Sequence, residues 1–523
     1  MIDPAIVQGV KNMAPRWNEK VCHGMAIEEF PKIPEVIHLA MKQAFKGFGD
    51  FQYVDYKLAD PKEAYAEITR PRSNKNTYEQ AKTTAALYRY EFMFGRERMR
   101  WRYQFLPHLD ADGLLKIKDS RYQVAPTLSD QFFSIEEGKV FIPIPRAPVT
   151  IYREDYYFHK DGIFTPVDVL CSRLHFTSKD EAPPSRHPQL MNYFFCLWGA
   201  TQAFRYMGME VAIMDEGAYS EEDFPSDEWV KCTSTGKRPK MRIPNFTTPD
   251  TVLMVKREHL TRVNESFIAS FFYVVDNCSD LSFLRPEVMD EPTVWKRALA
   301  RFIWRNPNVL DCVDNIDAHI ASLEEYLDET VIRKLRVGMI PAETIWDLFR
   351  YVLVNYQDMV LNSNPANILG KELRIIEPIV QDTIIMINRL MFAIRGLDPA
   401  KFRKDTIEEL FNRGFTQNMV IRLASDHPEI SLVDCANDQK TFKISSLVHR
   451  PSKNNGSASA SDMRNPMYWL DPNMLDAFSR RMVTKSSPTA SNRIRPAIKL
   501  GPNNEVLPDP DMERFREEFA RLK

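Results

Sequence analysis

Residues 463–503 read MRNPMYWLDPNMLDAFSRRMVTKSSPTASNRIRPAIKLGPN, and the rest of the chain is organised around them. Asp471-Pro472 stands nine residues before a paired arginine, Arg480-Arg481. A Ser/Thr-rich gap follows, then a second basic pair, Arg493 and Arg495, and then Gly501-Pro502-Asn503. Guanidinium groups stay ionised and present a planar fork of donors. Pairs of them between turn residues therefore suit a grip on phosphates or on a negatively charged strand. A solvated basic loop is the competing reading, and on the residues alone it stands first.

At 523 residues the chain is too long for one core, which predicts two to four domains. Hydrophobic residues at 44% and charged ones at 27% place it among globular proteins. Prolines outnumber glycines, 35 to 18, which favours stiff loops over flexible linkers. A net charge of −2 supplies no global field toward nucleic acid, so any such binding must use local patches. The cysteines Cys22, Cys171, Cys196, Cys232, Cys278, Cys312 and Cys435 are scattered and never spaced C-x-x-C. This predicts reduced thiols in a cytosolic compartment, with no zinc ribbon or disulfide frame. No apolar run approaches ~20 residues, which predicts no transmembrane helix, and the N-terminus lacks the pattern of a signal peptide. A soluble intracellular protein is expected.

Along the chain, residues 36–48 carry helical periodicity, and residues 53–58 alternate as a strand that Asp60-Pro61 stops. Residues 83–106 and 114–119 read as strands about a turn at 108–113, and 122–152 as short β segments around Glu137-Gly138. Within 165–310, strands are expected at 210–214, 251–255 and 267–275, with an aromatic helix at 191–206. Residues 225–242 form a polar insertion ending in the basic TGKRPKMR. Helices are expected at 295–305, 314–327, 342–362, 372–395, 405–413 and 416–425. After a Ser/Asn-rich loop at 452–461 comes a terminal amphipathic helix, 511–523, with Met512, Phe515, Phe519 and Leu522 on one face. There is no internal repeat.

No self-sufficient catalytic set emerges. Asp110 and Asp112, in HLDADGLL, could open a calcium loop or imitate a polymerase magnesium site. Calcium needs further oxygen ligands and a glutamate at the twelfth position, about where Ser120 stands. Two-metal chemistry needs a third carboxylate. A hairpin turn is the favoured reading. The histidines make no H-x-x-x-H pair, and His175 and His319 read as structural. Gly370-Lys371 and Gly236-Lys237 lack the rest of a phosphate loop. The aromatics of 191–206 are more simply core than a stacking platform, and TGKRPKMR more simply a solvated loop than a duplex contact.

Four segments, in order, resemble the β subunit of multisubunit RNA polymerases. YVDYKLADPKEAYAE (53–67), followed by Thr77-Tyr78, is similar to a β strand with its acid-Pro-Lys turn. Glu137-Gly138, the 140–144 strand and Arg146 resemble a second β segment. Its usual Asn-Gly-Thr-Glu and His-Arg-Ser-Pro-Gly are absent, and residues 152–162 stand in the latter's place. NILGKELRIIE (367–377) is similar to a stretch opening a long helix, with Gly370 and Arg374 at matching positions. Met467, Pro472, Arg480-Arg481 and then RIRPAIKLGPN resemble the segment lining the RNA exit side of the active centre.

The resemblance implies the N-terminal portion of a DNA-directed RNA polymerase β subunit, of the split type seen in giant bacteriophages. The fold expected is α+β and multidomain, with mixed β-sheets and helical segments. Residues 1–150 would begin a protrusion-like domain, 151–310 form a lobe-like domain, and 311–450 make a helical return to the protrusion. Residues 451–523 would supply a fork and active-centre wall and a docking helix. Arg480, Arg481, Arg493 and Arg495 would contact the RNA or template backbone or the incoming nucleotide's phosphates. Asn503, Arg464 and Asn465 would shape the pocket beside the nascent RNA, and Arg374 would join this nucleic-acid-binding set. The gap from Arg481 to Arg493 is shorter than in the family, implying a trimmed fork loop. Catalytic Mg2+ would belong to a partner subunit. The partners implied are a C-terminal β-like subunit, β′-like subunits, template DNA and nascent RNA, with no membrane. The implied location is the cytoplasm of the infected bacterial host, with packaging in the virion left open. Two alternatives stand: a promoter-recognition or accessory subunit, and a non-enzymatic phage structural protein.

Overall fold

The structure is a computed structural model that describes residues 18, 20–21, 24–69, 85–110, 113–117, 120–144, 148–174, 187–234, 251–277, 284–304, 312–324, 327, 329–364, 367–415, 430–433, 447–449, 471, 473–478, 491–510, 514 and 521. It is mixed α and β, with several antiparallel sheets. The chain divides into two compact units, one made of Met1–Gln131 with Ala366–Lys523 and the other of Phe132–Pro365.

In the first, discontinuous unit the helix Ile33–Ala44 buries Ile33, Ile37, Met41 and Ala44, a stripe at helical spacing. It packs against the long helix Glu377–Arg395. The strands Phe51–Leu58, Ala85–Phe94, Glu97–Arg98 and Arg102–Pro107 form one sheet. Phe45, Phe51, Phe92 and Phe411 knit these layers, the Phe92 and Phe411 ring centroids lying 4.8 Å apart. A second sheet orders Lys371–Arg374, Thr127–Asp130, Leu447–His449 and Ser491–Arg493 side by side.

The second unit holds a seven-stranded sheet whose backbone is a long hairpin, Val149–Lys160 with Ile163–Leu174. Asp161 and Gly162 both have left-handed backbone, φ 48° and 75°, as a two-residue turn matching strand twist requires. Under the sheet lie the helices Leu190–Trp198, Arg262–Asn277 and Pro292–Ile303. Trp295 is fully buried between Phe195 and Phe271, at 4.5 and 5.7 Å between ring centroids.

Several expectations change. The strand expected at 267–275 is part of the helix Arg262–Asn277. Every residue from 267 to 276 is buried, so no polar face marks the helical period, and its β-branched and aromatic residues imitate a core strand. The single helix expected at 191–206 is two, parted at Gly199. The helix expected from 372 begins only at Glu377, because 371–374 pair as a strand. Residues 152–162 are strand and hairpin turn. The helix Glu329–Val337 was not anticipated. The other helices expected between 295 and 413 are present within a few residues. Asp110 closes a turn as expected, taking the Leu114 N–H on Oδ1 at 2.9 Å. The TGKRPKMR cluster, His175, Asp112, the 416–425 helix and the 452–461 loop lie outside the described residues, as does most of 511–523. Cys171, Cys196, Cys232 and Cys312 are buried thiols outside any disulfide. Among the described residues no helix is long and apolar enough to cross a membrane, and no three His, Cys, Asp or Glu side chains gather to hold a metal ion.

His319, on the helix Cys312–Glu324, is structural, its Nε2 lying 3.2 Å from the Tyr193 hydroxyl. Burial pushes its pKa down to about 4. Between there and the ordinary value the unfolded chain binds the proton and the folded chain does not. The contribution is therefore complete above about pH 6.5 and is lost as pH falls toward 4. Allowing for the residue's partial exposure, it amounts to about 2 kcal/mol. Denaturant midpoints at pH 7 and pH 5 should fall further apart in the wild type than in His319→Gln. Equal differences would remove His319 as the cause.

Candidate nucleic-acid interface

The sheet of Lys371–Arg374, Thr127–Asp130, Leu447–His449 and Ser491–Arg493 is where distant parts of the chain meet. Gly370 (φ 87°) turns the chain into Lys371–Arg374, which pairs antiparallel with Thr127–Asp130, Lys371 opposite Asp130 and Arg374 opposite Thr127. Leu447–His449 runs parallel on the other side of Thr127 and carries Ser491–Arg493 at the outer edge, Arg493 opposite Leu447. Arg374 and Arg493 thus stand on the two outer strands of one sheet.

Arg374 is held within this sheet. Its Nε donates to Glu372 Oε1 at 2.7 Å and its Nη2 to the Asp130 carbonyl at 2.8 Å, leaving about a third of the side chain exposed. Beside it Lys371, nearly buried, pairs with Asp130 Oδ1 at 2.7 Å. Charge-assisted bonds at this depth fix the strand's register, since breaking one partner would strand a buried charge.

The residues just before the first basic pair are tied to the second pair through their backbones. Phe478 forms an antiparallel bridge with Ile494, and the Arg495 N–H donates to the Ala477 carbonyl at 2.8 Å. Phe478 stands two residues before Arg480, and Ile494 lies between Arg493 and Arg495. Phe478, Ile494 and Ile498 enter the core, leaving Arg495 half-buried at a turn closed by the Ile498 N–H to its carbonyl at 3.1 Å. Arg480, Arg481, Arg464 and Asn465 lie outside the described residues, and Arg493 is described by its strand placement alone.

Gly501-Pro502-Asn503 wraps a buried carboxylate. The Asn503 N–H and Nδ2 donate to the two Glu505 oxygens at 2.9 and 2.8 Å. A Cβ on Gly501 would stand 2.4 Å from Glu505 Oε2, so the wrap needs glycine there. The turn docks on the sheet through the Leu373 N–H to the Asn504 carbonyl at 3.0 Å. Asn503 is therefore an internal clamp of this turn. A shallow cleft lies between the 368–369, 473–477 and 497–509 segments of the same unit.

Sequence reasoning missed Lys371, Glu372, Asp130 and Glu505. Lys371 meets Asp130 across 241 residues, and nothing local to either marks the pairing.

These features describe a component that positions charged groups on a framework. A family model described as "Non-virion RNA polymerase subunit" matches residues 1–521. The chain belongs to this family, and so to a phage RNA polymerase that works in the infected cell rather than in the particle. A comparison with curated proteins finds no match. Membership sets aside the reading as a structural protein of the virion and answers the packaging question.

Proposed function

We propose that this chain is the β-like N-terminal subunit of a split, multisubunit, DNA-dependent RNA polymerase. It shapes the DNA/RNA channel while a β′-like partner holds catalytic Mg2+. One observation carries the reading. Two of the four β-like segments, remote in sequence, supply strands of one sheet, Lys371–Arg374 and Ser491–Arg493, at its two edges. Chance resemblances would have no reason to share a sheet.

The discontinuous unit, interrupted by 132–365, suits a protrusion-like domain entered, left and re-entered. Residues 151–310, within the inserted unit, form the lobe-like domain. Arg480, Arg481, Arg493 and Arg495 act on RNA, template or nucleotide phosphates. Arg464, Asn465 and Asn503 shape the neighbouring pocket, Asn503 through the Glu505 clamp. Arg374 braces the sheet and offers its exposed third to the nucleic acid. The C-terminal β-like and β′-like subunits complete the enzyme in the host cytoplasm.

The test is to purify the complex, weigh it, and run elongation on a preformed scaffold with and without this chain. A channel-forming subunit predicts partners carrying the metal-binding aspartates and no elongation without the chain. Elongation that proceeds in its absence would replace this reading with a promoter-recognition role.

A further inference from the structure

Residues 95–102 read GRERMRWR, four arginines against one glutamate, on the turn and short strand that follow Ala85–Phe94. Gly95 takes φ 57° and donates its N–H to the Asp50 carbonyl, which reverses the chain so that Glu97 and Arg98 pair back on Phe94 and Met93. The helix Lys404–Gly414 holds this turn from the side. Lys404 pairs with Glu97 at 2.9 Å, the Arg100 N–H donates to Glu408 Oε1 at 3.0 Å, and Phe94 meets Phe402. Arg102 is consumed internally, by Asn412 Oδ1 at 2.5 Å and the Glu408 carbonyl at 3.3 Å.

The remaining arginines are different. Arg96, Arg98, Arg100 and Arg403 are all exposed, and among the described residues none makes an ion pair. Arg403 sits between Phe402 and Lys404, the two residues that grip the turn carrying Arg96. The acids of the neighbourhood are engaged: Glu97 by Lys404, Glu408 by the Arg100 N–H, and Glu409 by Arg413. Asp398 is engaged by Lys401. Asp50 and Asp405 are the other acids beside the turn and helix. In a chain of net charge −2 these four exposed guanidiniums, none of them in an ion pair among the described residues, stand on a braced framework.

We propose that Arg96, Arg98, Arg100 and Arg403 form a second nucleic-acid site, which grips the phosphate backbone of duplex DNA outside the region being copied. Single-strand grooves add aromatic platforms for bases. Here the nearby aromatic, Trp101, is covered on one face by the Arg89 guanidinium, 4.1 Å from its ring centroid and held by Glu63 and Glu91. The site therefore contacts backbone and reads no base. It rests on the reading that the template is DNA.

The experiment uses the complete polymerase, carrying Arg96→Gln, Arg98→Gln, Arg100→Gln and Arg403→Gln together. Its affinity for a blunt DNA duplex is measured from low to moderate salt. Each lost phosphate contact flattens the log–log salt dependence by about 0.9, so the slope should fall by roughly three to four, with at least about tenfold weaker binding at low salt. The fourfold lysine variant should keep the slope. Elongation on a scaffold trimmed to the RNA–DNA hybrid should be unchanged in both. An unchanged slope in the glutamine variant overturns this inference alone. Equal losses on the trimmed scaffold overturn it by moving the arginines to the hybrid. Failure of the unsubstituted enzyme to bind duplex DNA overturns it together with the DNA-template reading.

Discussion

Replacing Arg480 and Arg481 together by alanine is expected to lower RNA synthesis about 100-fold or more while the polymerase still assembles. Each charge-assisted bond to a phosphate is worth about 1.5–3 kcal/mol, so losing two costs roughly two to four powers of ten if both act in the rate-limiting complex. Assembly should survive, because what anchors this segment is independent of the two side chains. The helix Met474–Ala477 ends at Phe478, which is buried and bridged to Ile494, and the Arg495 N–H caps Ala477. The double lysine variant adds discrimination. Lysine keeps the charge and loses the planar fork, so partial rescue marks a point-charge contact and no rescue marks bidentate binding. The split between kcat and the KM for nucleotide locates the contact. A rise in KM alone would place the pair on the incoming nucleotide's phosphates in the ground state. Elongation unchanged in the alanine variant would remove both residues from the site.

That expectation was legible because a basic pair between turn residues is a local feature of the chain. So were most of the helices from 295 to 413, each with its own apolar stripe, and the Glu137-Gly138 turn, whose residues have φ 50° and 73°. What stayed hidden depends on distant partners. Lys371–Arg374 reads as the start of a helix because its neighbours downstream are helical, and it becomes a strand only because Thr127–Asp130 lies alongside. The helix Arg262–Asn277 lost its period because both of its faces are covered. Arg374 reads as a free cation, and the sheet supplies it with Glu372 and the Asp130 carbonyl. The arginines at 96, 98 and 100 drew no notice in a stretch that reads as plain strand. Their meaning lies in which neighbouring acids are already occupied.

Gly199→Ala is expected to be the most damaging single substitution in the second unit. MNYFFCLWGATQAFRY has the composition of one continuous helix, and the break at Gly199 arises from what stands opposite it. There φ is 77°, and an added Cβ would lie 2.2 Å from the Asp290 carbonyl oxygen and 2.6 Å from its carbon. Both are backbone atoms, and their segment cannot retreat. The Ala200 N–H donates to the Met289 carbonyl at 2.9 Å, the Thr201 N–H to Asp290 Oδ1 at 2.8 Å, and Trp295 Nε1 to that same Met289 carbonyl at 2.6 Å. Left-handed strain of about 1–2 kcal/mol, overpacking of about 1–3 and the loss of one or two hydrogen bonds at about 1 each sum to roughly 3–7 kcal/mol. That is a large fraction of what holds a domain folded. Gly208→Ala is the matched control, with φ 81° and nothing within 4 Å of its added Cβ, so it should cost only the strain. Thermal unfolding followed by hydrogen exchange should show the 132–365 amides losing protection in Gly199→Ala and nearly keeping it in Gly208→Ala. Similar losses in the two variants would mean that backbone strain alone sets the cost, and that the close approach of Asp290 contributes nothing.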